Sequence, residues 1–130
     1  MAKKKIDVIF YRQNHLRPDW QVDLFSAKFE LFLIELAEDL ARFSICLTRA
    51  DNEEVVIDIN SYADVLNSVR ICSPLDGFTN LCVGHIIDKS PNRDLMEDIK
   101  RAVNRIAFAP ETVPPEDHNR KVCHNCGCGC

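Results

Sequence analysis

Apolar and polar side chains alternate through Ile6-Asp7-Val8-Ile9-Phe10-Tyr11, which predicts a strand with Ile6, Val8 and Phe10 on one face. The polar stretch 12–20 follows; it contains Pro18 and offers Asp19 as an N-cap for a helix over about 21–43. In that helix Phe25, Phe29, Phe32, Leu36 and Leu40 recur at three- and four-residue steps, while Glu30, Glu35, Glu38 and Asp39 fall mainly elsewhere. Two β-rich runs, 44–48 and 54–59, flank the charged segment 49–53, a spacing that predicts an antiparallel hairpin. Asn60 or Ser61 then caps a shorter helix through about Arg70, with Tyr62, Val65, Leu66 and Val69 as its apolar side. A loop with Pro74, Gly77 and Asn80 leads into an expected fourth strand over 81–87. Ser90-Pro91 introduces a last helix striped by Leu95, Ile99, Val103 and Ile106. The order β-α-β-β-α-β-α predicts an α+β fold with a ferredoxin-like βαββαβ core and an added C-terminal helix, occupying residues 1–109.

After Phe108 the pattern stops. Residues 110–122 hold three prolines and little to bury, so they read as an extended linker. Its thirteen residues span roughly 40 Å when stretched. Residues 123–130, Cys-His-Asn-Cys-Gly-Cys-Gly-Cys, form a Cys-rich tail with four of the chain's seven cysteines.

Composition narrows the function classes. With 130 residues the chain suits one core, and its apolar runs, such as 31–34 before Glu35, fall far short of the ~20 residues that cross a bilayer. The basic start Met-Ala-Lys-Lys-Lys precedes a segment too short and too acidic for a secretory signal, so the expectation is a cytoplasmic protein with no membrane partner. An odd cysteine count, with Cys46, Cys72 and Cys82 scattered in apolar contexts, suits reduced thiols rather than a secreted disulfide framework. The net charge of −4 is uneven: residues 1–20 carry five basic and two acidic groups, whereas 21–42 and 49–70 each carry five acidic and two basic. A nucleic-acid partner is poorly matched, because Lys3-Lys4-Lys5 is the one basic cluster.

The tail carries the clearest chemistry. Cys123, Cys126, Cys128 and Cys130 place four soft donors within eight residues, Gly127 and Gly129 permit the tight turns that neighbouring ligands need, and His118 and His124 add imidazoles. Thiolates favour a soft metal ion, zinc first, with Cu(I) or an iron–sulfur cluster as alternatives. The crowding of ligands, with no second Cys-x-x-Cys unit, suits several ions sharing thiolates or one ion shared between molecules. The expected function is a small soft-metal-binding protein, a carrier or adaptor whose domain docks on a protein partner or on itself. The alternative is an interaction module or precursor whose Cys/Gly tail is the substrate of a modifying enzyme.

Other candidates are weaker. Arg12, His15, Arg17 and Trp20 combine charge and aromatic surface in the expected first loop, as an anion or partner site would, although a solvated loop explains them as well. Cys82 and His85 are expected on opposite faces of the fourth strand, and Cys46 and Cys72 in the core. No His-Glu-x-x-His, phosphate loop or nucleophile elbow occurs, which disfavours an enzyme.

Overall fold

A computed structural model describes residues 4–15, 26–87 and 93–113. The fold is mixed α+β, with one four-stranded sheet and helices between and after its strands. The first strand, β1 (Lys4–His15), is longer than its alternating stretch, and Ile6, Val8 and Phe10 are buried as the pattern predicts. Helix α1 (Ala27–Ala41) begins later than expected. Ser26, in extended conformation, is its N-cap and accepts a hydrogen bond from the Phe29 backbone N–H, so the start near residue 21 is corrected. Asp19 and residues 21–25 lie outside the described residues.

The expected hairpin is one strand. β2 (Ile45–Ile59) runs unbroken through 49–53 and pairs parallel to β1, from Lys4 with Ile45 to His15 with Ile59. A bulge interrupts the ladder: Tyr11 pairs with Asn52, and Arg12 with Val56. The physical reason is turn chemistry, since no glycine occurs between Ser44 and Asn60 to take the positive φ of a tight hairpin without strain. The reversal occurs before β2 instead, where Ser44 adopts φ 61° after the end of α1.

Helix α2 (Tyr62–Asn67) stops short of Arg70, and β3 (Val69–Ser73) follows at once. Val69-Arg70-Ile71 belongs to the sheet interior, paired antiparallel to β1, with Asp7 opposite Cys72 and Phe10 opposite Val69. A 3-10 turn, Pro74–Asp76, ends at Gly77, whose φ of 81° lies in the left-handed region that glycine enters without strain. β4 (Phe78–Cys82) returns antiparallel to β3. The expected strand 81–87 is also corrected, because Val83–Ile87 is a short helix, α3. A run of buried apolar residues has no periodicity to separate strand from helix. The sheet order β2-β1-β3-β4, with β1 and β2 parallel neighbours, does not reproduce the ferredoxin-like arrangement.

The last helix, α4 (Leu95–Phe108), follows its predicted stripe: Leu95, Ile99, Val103 and Ile106 are all buried. Burying four such side chains contributes together roughly 6–12 kcal/mol. The Asp94 N-cap, which accepts from the Met96 and Glu97 backbone N–H groups, adds about 1 kcal/mol, so packing rather than capping decides this helix. One contiguous core joins α1 and α4 to the Ile6, Val8 and Phe10 face, with the Phe10 and Phe29 rings edge-to-face at 5.6 Å.

Candidate functional site

The predicted ligands Cys123, Cys126, Cys128, Cys130, His118 and His124 all lie outside the described residues, as do linker residues 114–122. The segment that leads to them is tied to the domain. Pro110–Thr112 forms a 3-10 turn rather than the start of an open linker, and Val113 is buried. Arg105 holds this turn: its guanidinium donates to Thr112 Oγ1 at 2.9 Å, to the Thr112 carbonyl at 2.5 Å, and to the Ile86 carbonyl. Nearby, Lys4 Nζ donates to the Ile106 carbonyl near the end of α4 and forms a 2.6 Å ion pair with Asp76. A lysine there complements the partial negative charge of the helix C-terminus. Residues 110–113 are thus fixed to the domain.

The described cysteines divide by environment. Cys82 is buried, and its Sγ accepts a hydrogen bond from the His85 backbone N–H at 3.3 Å, so the two meet at the strand-to-helix junction instead of on opposite faces of one strand. Cys72 is half-buried and Cys46 exposed, which corrects the expectation of a core position for Cys46. Among the described residues no group of three or more His, Cys, Asp or Glu side chains is arranged to hold a metal ion. Glu30, Glu35, Glu38 and Asp39 are all exposed on α1.

Arg12 and His15 both sit on β1, three residues apart and therefore on opposite faces, which separates two members of the proposed anion site. Arg17 and Trp20 lie outside the described residues. His15 instead belongs to a polar group that the sequence pattern did not reveal. Its Nε2 is 2.8 Å from Gln13 Oε1, Gln13 Nε2 donates to Ser68 Oγ at 2.9 Å, and Ser68 Oγ donates to the Val65 carbonyl at 2.7 Å. Beside them Arg70 is 2% exposed. It donates from Nε to the Asn67 carbonyl at 2.9 Å, from Nη1 to the Asn80 carbonyl at 3.3 Å and from Nη2 to Asn67 Oδ1, and it stacks 5.3 Å from the Tyr11 ring centre. Tyr11 closes the group by donating to Asn80 Oδ1 at 3.0 Å. The signal that points to Arg70 is a lone charge inside Val69-Arg-Ile-Cys72. With three of its five N–H donors on carbonyl and amide oxygens, Arg70 acts as a clamp joining α2, β1, β3 and β4.

Among the described residues no helix is long and apolar enough to cross a membrane. In comparisons with family models, curated proteins and solved structures, nothing matches this chain.

Proposed function

We propose that this is a soft-metal-binding protein of a reducing, cytoplasmic setting, in which Cys123, Cys126, Cys128 and Cys130 supply thiolates, with His118 and His124 as auxiliary donors. The observation that carries the reading is the sequence itself: four thiols in eight residues, interleaved with Gly127 and Gly129. The anchored turn at Thr112–Val113 supports it, because a donor group needs a stable body from which to approach a protein acceptor. Zinc is the first candidate; Cu(I) or an iron–sulfur cluster would use the same donors. Each cysteine loses its proton on binding, so uptake releases protons, and transfer proceeds by exchange of one tail thiolate for one from the acceptor, without net oxidation.

The test is metal per chain after anaerobic purification, for the natural sequence and for a variant with all four tail cysteines changed to serine. Stoichiometric metal in the first and none in the second is the expected result; equal content refutes the reading. The second reading, a tail that is the substrate of a modifying enzyme, is favoured by the proline-rich stretch ahead of a small Cys/Gly segment. It predicts a fixed mass shift on the denatured, chelated chain from its native host, where the metal reading predicts the unmodified mass.

A further inference from the structure

We propose that β2 pairs antiparallel with β2 of a second copy of this chain, about a two-fold axis through Ala50, joining the two sheets edge to edge. β2 ends the sheet order, and among the described residues its ladder partner is β1 alone, so among them the outer edge of Ile45–Asn52 has no strand partner. A charge pattern selects both the occupant and the register.

A two-fold axis perpendicular to the sheet leaves every side chain on its original face, and directly opposed residues must share a face. The axis therefore passes through a residue rather than between two. Centred on Arg49 it would oppose arginine to arginine; centred on Asp51 it would oppose two aspartates, and like charges directly opposite destabilise a pair. Centres at Leu47 or Thr48 leave Arg49 facing Ile45 or Leu47. A centre at Asn52 would oppose Asp51 to Glu53, again like charges, and beyond it the bulge breaks the regular edge. Ala50 is the remaining centre, and it sets Arg49 against Asp51 of the second copy twice, with Thr48 against Asn52 outside them.

Ala50 is exposed and small. The Arg49 guanidinium lies over the Phe10 ring at 4.7 Å and near Phe29 at 5.8 Å, which holds it on the helix-covered face. Asp51, two residues on, shares that face, and its Oδ1 is 3.2 Å from Arg49 Nη2 within the chain. Asp51 is the more exposed member of that pair, so Asp51 of the second copy can approach Arg49 while the guanidinium keeps its place over Phe10.

The experiment is sedimentation velocity of the full-length chain with reductant and chelator present, which removes any bridge through tail thiols. Ala50→Asp and Ala50→Lys each place like charges on the axis at an exposed position without touching the core. The natural sequence is expected to be a dimer at about 100 µM, each variant to dissociate about ten- to a hundredfold more readily, and an equimolar mixture of the two to recover the dimer. A monomeric natural chain, variants that dimerise as well as it does, or a mixture that stays monomeric overturns the proposal.

Discussion

Arg70 offers a sharp test of how the domain is held together. The side chain is 2% exposed, and its donors reach the Asn67 carbonyl, Asn67 Oδ1 and the Asn80 carbonyl while its plane lies against Tyr11. Replacing it with methionine keeps most of the volume but strips three acceptors of their donor. Hydrogen bonds from a charged group contribute about 1.5–3 kcal/mol each, and the lost desolvation cost of the guanidinium offsets part of that. A net loss of about 2–4 kcal/mol is expected for Arg70→Met. With a urea slope of about 1.5 kcal/mol per molar for a chain of this size, the midpoint falls by roughly 1.3–2.7 M. Arg70→Lys should be no better, because the ammonium stays buried and cannot span acceptors on both Asn67 and Asn80. Urea titrations followed by far-UV circular dichroism read both. A loss below about 0.5 kcal/mol for the methionine variant, or near-native stability for the lysine variant, refutes the clamp.

Two further outcomes follow from the described residues. Asp94→Ala removes the acceptor for the Met96 and Glu97 N–H groups and should cost about 1 kcal/mol in the same titration; an unchanged midpoint would show that this cap contributes nothing. In the variant with four tail serines, maleimide should label Cys46 first and Cys72 more slowly, with Cys82 protected until the domain unfolds. Equal labelling of all three in native buffer contradicts the burial pattern.

Strong periodicity was readable where packing and pattern coincide. Ile6, Val8 and Phe10 alternate because one face of β1 meets the helices, and the Leu95 to Ile106 stripe of α4 is the face it buries. The misreadings share a cause: local runs without punctuation. Residues 49–53 look like a loop because they are charged, yet an edge strand can hold Asp51 and Glu53 exposed and lay Arg49 over the Phe10 ring. Val69 continued the helical stripe of α2, and its strand identity comes from pairing with β1, some sixty residues earlier, which no local pattern encodes. Arg70 escaped for the same reason, since its partners are assembled by three separate elements. The reading of the tail rests on composition alone, and its residues lie outside the described ones.

The proposed function requires the four tail thiols to act together on a soft metal. Cobalt(II) added anaerobically to the reduced chain tests this most directly, because thiolate coordination gives an intense near-ultraviolet charge-transfer band that oxygen ligands do not. The account predicts a band that saturates at a fixed metal-to-chain ratio, is displaced by zinc, and vanishes when Cys123, Cys126, Cys128 and Cys130 become serine. A band that survives those four changes, or its absence from the natural chain, contradicts it.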